Sequence, residues 1–169
     1  MTLSLLRQAA PECPTHRPGG KTLQVHGTDD PGRGAVQAFI ARIYAQRFGA
    51  CVQQFAPCLV SLHDPLSGDI VAAAGYRFAD TGPLFLERYL DAPIEELIDF
   101  AAQRPTARQG VVEVGNLAAS DTGSARLSII AITWLLAMGG LEWVAFTGNI
   151  GLVNSFHRLG LRPLTLCAA

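Results

Sequence analysis

The sequence predicts an α/β domain built on a mixed sheet. Apolar segments in the first half of the chain are typical of an antiparallel hairpin, and the second half alternates strand, helix, strand and helix. Of the 169 residues, 49% are hydrophobic and only 16% are charged, so the chain has enough apolar side chains for a substantial core.

The individual elements follow from apolar spacing and from turn residues. Apolar residues recur at helical spacing over 34–48, with Asp29 or Asp30 as the predicted helix start and Gly49 as its end. The segment DPLSG at 64–68 has strong turn chemistry and joins the two hairpin strands, 58–63 and 69–78. Proline and two glutamates predict a helix over 93–103. The other predicted strands are 22–26, 109–118, 141–147 and 161–167, and the other helices are 123–138 and 151–159, while 82–89 stays ambiguous.

Residues 1–20 are predicted to be a loosely ordered lead-in, because 11–20 is rich in proline and glycine. Residues 21–169 then form a single domain. We expect this domain to be soluble and cytoplasmic, because the short start lacks the features of a secretory signal.

Composition and charge exclude several classes of function. The formal net charge is −1 and Lys21 is the only lysine, so the chain has neither a nucleic-acid footprint nor a basic patch for anionic membranes. The apolar run at 129–141 is too short for a bilayer span, which argues against stable membrane insertion. Four cysteines without a C-x-x-C pair and four scattered histidines predict no metal site.

The stretch 111–126 is the most informative part of the chain. It reads as a strand containing Glu113, followed by a turn with the pattern Ser120-x-x-Gly123-x-Ala125 that opens a long helix. A turn of this kind is expected to leave backbone N–H groups unpaired at a helix start, where the helix dipole also favours an anion such as a pyrophosphate.

Several segments together resemble the thermostable hemolysin family, within the GNAT superfamily of acyltransferases and related to acyl-homoserine-lactone synthases. These segments are AAGYR at 73–77, LFLERYLD at 84–91, PIE at 93–95, VEVGNL at 112–117, FTGN at 146–149 and NSFHRLGL at 154–161. They cover roughly residues 33–166.

The resemblance implies a GNAT-like (acyl-CoA N-acyltransferase) α/β fold, in which a mixed, twisted sheet is flanked by helices on both faces. It also implies an acyl-carrier-dependent N-acyltransferase. The acyl donor would be coenzyme A or the phosphopantetheine of an acyl-carrier protein, the acceptor a small-molecule amine such as an amino acid, and no metal would be needed. Two features depart from the pattern. Phe156 replaces the tyrosine that could protonate the leaving thiolate, and the chain ends at Ala169, before a further C-terminal segment that could complete the acceptor pocket.

Three charged residues are the candidate catalytic groups. Glu113 is either a general base for the acceptor amine or a structural ion-pair partner of Arg77. Arg77 either clamps an acceptor carboxylate or neutralises Glu113 or Glu87. Glu87 is either a ligand of the acceptor amine or a surface residue.

The candidate cofactor-binding residues lie along the strand, the turn and the last helix. The alternative is an ordinary strand-to-helix turn, with Asn149 and Asn154 acting as helix caps. Backbone N–H groups near Asn116 to Ala118 are expected to polarise the thioester carbonyl, and 127–138 with 141–146 to line a cleft for the acyl chain. The residues assigned are Leu117, Ala118, Ala119, Gly123, Ser124, Ala125, Arg126, Asn149 and Asn154. A non-catalytic module that binds an acyl thioester or a lipid is the alternative function, and the oligomeric state stays open.

Overall fold

The computed structural model describes residues 2–7, 20–148 and 150–168, and over these the chain forms a mixed seven-stranded sheet with four α-helices. The chain divides into two compact units. Unit 1 comprises residues 1–10, 77–114 and 136–169, and unit 2 comprises residues 11–76 and 115–135. In chain order the elements are β1 (Thr2–Arg7), β2 (Thr22–His26), α1 (Arg33–Phe48), β3 (Cys58–His63), β4 (Ile70–Phe78), α2 (Ile94–Ala102), β5 (Val111–Ala119), α3 (Thr122–Met138), β6 (Trp143–Gly148), α4 (Ile150–Arg158) and β7 (Leu164–Ala168).

Unit 1 contains a mixed sheet in the order β5-β6-β1-β7. The parallel pairing of β5 with β6 sets Val111 opposite Trp143 and Val114 opposite Phe146, whereas β1 is antiparallel to both β6 and β7. Ile94 and Ile98 of α2 are fully buried in the core of this unit. The other large members of that core are Leu5, Leu84, Leu86, Val111 and Trp143. The apolar face of α2 therefore fixes the segment just before it, which carries the charged groups described below.

Unit 2 contains an antiparallel sheet in the order β2-β3-β4. The apolar side of α1 packs against residues of β3, β4 and β5, and Ala131 of α3 belongs to a second small core. The first core consists of Val36, Phe39, Ile40, Ile43, Leu59, Ala73 and Ala118, and the second of Leu62, Ala72, Ala119 and Ala131.

Most of the predicted elements are confirmed, with shifts at their ends. The hairpin of β3 and β4 is present, and α1 ends at Gly49, whose φ of 59° lies in the left-handed region. The predicted start of α1 is wrong, because the helix begins at Arg33 and its N-cap, Gly32, offers no side chain. Asp30 instead accepts a hydrogen bond from the Gly32 N–H at 2.8 Å, one turn before the helix.

The predicted loosely ordered lead-in is wrong for Thr2–Arg7, which form β1. This strand pairs with β6 and β7, so its order comes from partners far along the chain that local composition does not reveal. The rest of that lead-in up to residue 19 lies outside the described residues.

Candidate functional site

Glu113 lies in the first half of β5, and both of its carboxylate oxygens accept backbone hydrogen bonds. Oε2 accepts the Phe85 N–H at 2.7 Å, and Oε1 accepts the Leu86 N–H at 3.0 Å. Burial raises the pKa of this carboxyl above its usual value, although the two N–H donors and the nearby charge of Arg77 act in the opposite direction. The structure records no ion pair between Glu113 and Arg77 among its described side chains. Glu113 is thus a partly desolvated carboxylate held by backbone donors.

Glu87 is tied to an arginine that the sequence did not single out. Arg108 donates hydrogen bonds to both Glu87 oxygens, from Nη1 to Oε1 at 2.7 Å and from Nη2 to Oε2 at 2.9 Å. Its Nη1 also donates to Glu95 Oε2 at 2.6 Å. Glu87 further accepts the Leu84 N–H at 2.8 Å and the Ile94 N–H at 3.2 Å. The bonds from Arg108 lower the pKa of Glu87 to about 2. Glu87 is therefore an ionised structural partner, neither a free surface residue nor an open ligand for an amine.

Arg108 uses all of its donor atoms inside unit 1. Besides the two glutamates, its Nε donates to the Ala79 carbonyl at 2.8 Å and its Nη2 to the Gly82 carbonyl at 3.2 Å. We call Glu87, Glu95, Glu113, Arg77 and Arg108 the acid–arginine cluster. An open pocket of about 430 Å³ lies beside it, lined by Pro83, Glu87, Leu90, Asp91, Glu95 and Arg108, among others. The pocket lining carries a net negative charge, because it contains the carboxylates of Glu87, Asp91 and Glu95 and the single guanidinium of Arg108.

Arg77 is less engaged than the other members of the acid–arginine cluster. Its Nη1 donates to the Pro83 carbonyl at 3.1 Å, and no ion pair of Arg77 is recorded among the described residues. A guanidinium has five donor hydrogens, so most of them remain available for an acceptor carboxylate.

In unit 2, Asn116 interrupts β5 with a φ of 50°, which is rare for a residue other than glycine. Its Oδ1 accepts the Ala56 N–H at 3.0 Å, and its Nδ2 donates to the Gln54 carbonyl at 3.3 Å. Gly75 allows this arrangement, because a Cβ there would lie 2.7 Å from Ala56 Cβ and 2.9 Å from Asn116 Oδ1. The AAGYR and VEVGNL motifs are therefore parts of one packed junction.

The turn at 120–126, which we call the α3 turn, already contains a carboxylate. Asp121 caps the helix, with Oδ1 accepting the Ser124 N–H at 2.8 Å and Oδ2 accepting the hydroxyls of Ser124 at 2.7 Å and Ser120 at 2.9 Å. These bonds, with that from Ser124 Oγ first, lower the pKa of Asp121 to about 2. The prediction that the turn leaves its N–H groups unpaired is thus wrong for Ser124. It is also wrong for Ser120 and Ala125, whose N–H groups donate to the Val71 carbonyl at 2.9 Å and the Asp121 carbonyl at 3.0 Å.

The other predicted cofactor residues fall in different surroundings. Ala118 and Ala119 are buried core residues of unit 2, Leu117 and Ala125 are half-buried, and Gly123 and Arg126 are exposed. Asn154 is exposed in the middle of α4, so the alternative that it caps this helix is wrong. Asn149 lies outside the described residues. The binding roles of these residues stay predictions.

Sequence reasoning missed Arg108 and Asp121 for different reasons. Arg108 binds acids 13 and 21 positions away, so no local spacing reveals the pairing. Asp121 had a recognisable signal, because aspartate just before a helical run is a preferred N-cap. Phe156, the predicted replacement for a tyrosine acid, is buried and packs against Phe146 with ring centroids 4.6 Å apart.

The described residues contain neither a membrane-spanning helix nor a metal-binding cluster. Each helix in the described ranges is either too short or too polar to span a bilayer. No group of three or more histidine, cysteine, aspartate or glutamate side chains in the described ranges is arranged to hold a metal ion.

The sequence model of one family, described as thermostable hemolysin, matches residues 26–169. The chain belongs to the thermostable hemolysin family. No functionally curated protein matches it.

Solved structures resemble this family member at low sequence identity. TofI, in a ternary complex with an inhibitor and MTA, aligns with a TM-score of 0.56 and 18% identity over 82% of this chain and 78% of its own. A GCN5-related N-acetyltransferase from Kribbella flavida aligns with a TM-score of 0.50 and 20% identity over 97% of this chain and 54% of its own. The GCN5-related glucosamine N-acetyltransferase region of a fungal GH3 β-N-acetylglucosaminidase gives a TM-score of 0.56 and 13% identity over 97% of this chain and 20% of its own. These similarities confirm the predicted GNAT-like fold.

Proposed function

We propose that this protein transfers an acyl group from a thioester carrier to the amine of an amino acid or a related small metabolite. The carrier is coenzyme A or the phosphopantetheine of an acyl-carrier protein. Family membership and the GNAT-like fold support acyl transfer in general, since two of the similar structures bear the name N-acetyltransferase.

The single observation that carries the proposal is the Glu113 carboxylate. Burial raises its pKa, which suits a group that must accept a proton near neutral pH. A carboxylate has about four lone-pair positions, and the Phe85 and Leu86 N–H groups occupy two of them. The remaining positions are available to the proton of an attacking amine.

In the proposed reaction the amine nitrogen attacks the thioester carbonyl carbon, and the C–S bond then breaks. The amine proton passes to Glu113, and the thiolate leaves and is protonated by solvent, because Phe156 has no hydroxyl. We assign the polarisation of the carbonyl oxygen to backbone N–H groups from Asn116 to Ala118, a segment that begins at the left-handed residue Asn116.

The donor and the acceptor use different groups in this proposal. Backbone groups at Leu117 and Ala119 and the segment Gly123–Arg126 hold the phosphate end of the donor, with the capping carboxylate of Asp121 displaced from the Ser124 N–H. Arg77 binds the carboxylate of an amino-acid acceptor, and the acidic pocket beside it attracts a positively charged amine before that amine loses its proton. Glu87 acts as a positioning residue. It is bonded to Arg108 and to the Leu84 N–H, and the next two N–H groups along the chain hold Glu113.

The test is release of free thiol from a long-chain acyl thioester, with and without pooled amino acids, by wild type and a matched pair of variants. Glu113→Gln should lower amine-dependent turnover about 10²–10⁴-fold, the usual contribution of a positioned general base, with little change in donor binding. Glu96→Gln makes the same chemical change on the exposed side of α2 and should keep the wild-type rate. Full turnover by a Glu113→Gln variant that melts at a lower temperature would contradict the assignment and leave Glu113 as a structural group.

A second candidate function is a non-catalytic module that binds an acyl thioester or a lipid. The observation that favours it is the engagement of the charged groups: Glu113 bonds two backbone N–H groups, Glu87 bonds Arg108, and Asp121 bonds its own turn. Tight thioester binding by wild type without amine-dependent thiol release would establish this reading in place of the first.

A further inference from the structure

Four side chains of unit 2 form a continuous hydrogen-bonded chain away from the groups discussed above. His26 Nδ1 lies 2.9 Å from Asp30 Oδ1, and His26 Nε2 lies 2.8 Å from Ser61 Oγ. The same Ser61 Oγ lies 2.8 Å from His63 Nε2, and His63 Nδ1 lies 3.0 Å from the Gly68 carbonyl oxygen. The chain joins β2, the loop before α1, β3 and the turn between β3 and β4. We call it the histidine–serine chain.

The order of aspartate, histidine and serine is that of a hydrolase triad, but the surroundings exclude this use. Ser61 is 1% exposed, and the cavity that it helps to line has a volume of about 10 Å³. A space of this size holds about one water molecule and no carbonyl substrate. The chemistry of the histidine–serine chain must therefore concern its protons rather than a substrate.

Counting protons shows that the neutral side chains cannot complete the histidine–serine chain. Its two ends, the Asp30 carboxylate and the Gly68 carbonyl, only accept hydrogen bonds. The four contacts need four hydrogens, whereas two neutral imidazoles and one hydroxyl supply three. Asp30 does not supply the fourth, because its hydrogen bonds with His26 and with the Gly32 N–H at 2.8 Å lower its pKa below the usual value and keep it ionised at neutral pH.

We infer that the histidine–serine chain holds one additional proton, so that one of its two imidazoles is a cation whenever all four hydrogen bonds are formed. Either His26 carries the charge and the Ser61 hydroxyl donates to His63, or His63 carries it and the hydroxyl donates to His26. The first arrangement becomes the second when the His26 Nε2 proton passes to Ser61 Oγ and the hydroxyl proton passes to His63 Nε2.

The groups around the histidine–serine chain leave Asp30 as its direct counter-ion. Lys21 and Asp64, on either side of the β2–β3 pairing, form an ion pair with each other. Arg33 at the start of α1 donates to the carbonyls of Ala56 and Pro57. Asp29 and Asp69 are exposed. The neighbours of Ser61 from β4 and α3 are not ionisable; they are Ala72, Ala73, Ala74, Ser128, Ala131 and Ile132.

A proton held by the folded state links the stability of this protein to pH. Above about pH 6.5 a free histidine of an unfolded chain is mostly neutral, so unfolding releases the bound proton. Stability then falls as the pH rises, because the folded state binds more protons than the unfolded state. The histidine–serine chain therefore connects β2, β3 and the loop before α1 through hydrogen bonds whose stabilising effect depends on pH.

Nitrogen NMR of the imidazole rings in the intact wild-type protein tests the inference directly. At pH 7 we expect one extra ring proton, localised on or shared between His26 and His63, with the exposed His157 as a reference in the same spectrum. A single N–H on each of the two rings at that pH would overturn the inference.

The variant Ser61→Ala provides a second test that uses stability. Without the hydroxyl, the His26–Asp30 and His63–Gly68 contacts remain, and two neutral imidazoles satisfy both. Between pH 7 and pH 8 the unfolding constant of wild type should rise up to about tenfold, the limit for one linked proton, and this rise should be absent in Ser61→Ala. His157→Gln should keep the wild-type pH dependence. Equal pH dependence in wild type and Ser61→Ala would overturn the inference, and if that variant does not fold the NMR measurement decides alone.

Discussion

The acid–arginine cluster of unit 1 and the α3 turn of unit 2 both place carboxylates on backbone N–H groups, but they balance the charge differently. In the cluster, Glu87 is held by backbone donors and by the bidentate guanidinium of Arg108. In the turn, Asp121 is held by one backbone N–H at 2.8 Å and two hydroxyls, and the described structure gives it no cation. The difference shows that a carboxylate can build a site through an ion pair or can simply cap the start of a helix. Only the side-chain partners distinguish the two cases.

The largest effect should come from removing the cation of the acid–arginine cluster. Arg108→Met leaves Glu87 and Glu95 without their shared partner in a partly buried place, so the free energy of unfolding should fall by about 3–5 kcal/mol. Arg162→Met, which removes an exposed arginine, is the control and should change it little. Chemical denaturation measures both variants. Equal stability of the two would mean that the backbone bonds alone hold Glu87.

A smaller effect is expected at the packed junction of unit 2, where no charge is involved. Gly75→Ala forces a Cβ within 2.7 Å of Ala56 Cβ, and overpacking of this kind should cost about 1–3 kcal/mol of unfolding free energy.

Gly34→Ala is the matched control for this junction, because Gly34 lies in α1 with open space around it. Alanine in a helix is favoured over glycine, so this variant should gain up to about 1 kcal/mol in the same denaturation experiment. A Gly75→Ala variant as stable as wild type would show that the junction relaxes easily.

How far the sequence predicts each region depends on the range of the interactions. The hairpin and α1 follow from local turn chemistry and 3.6-residue spacing, so both were predicted. Strand β1 was not, because its pairing with β6 joins opposite ends of the sequence. The position of Glu113 within a strand was predicted, but its two backbone donors at Phe85 and Leu86 come from a segment whose conformation the sequence left ambiguous. The turn pattern Ser120-x-x-Gly123-x-Ala125 correctly predicted where the helix starts. It did not predict the role of Asp121, because the pattern considers the small residues of the turn and not the side chain that caps the helix.

The smallest effect separates the two roles of Asp121. Asp121→Ala removes the cap and should cost about 1 kcal/mol of unfolding free energy, whereas Asp121→Asn keeps a good cap and should be nearly neutral. If the α3 turn binds the donor phosphates, Asp121→Asn should bind coenzyme A more tightly than wild type, because a negative charge is removed from the helix start. Calorimetry with coenzyme A measures this affinity, and an unchanged affinity would place the phosphates elsewhere.

The most direct test of acyl transfer is mass spectrometry of the product. Wild-type protein incubated with a long-chain acyl thioester and pooled amino acids should form an N-acylated amino acid, detected at the mass of the amino acid plus that of the free fatty acid minus one water. One free thiol should appear for each amide formed. Binding of the thioester without any N-acylated product, across amines and both kinds of carrier, would contradict the account and leave the protein as a binding module.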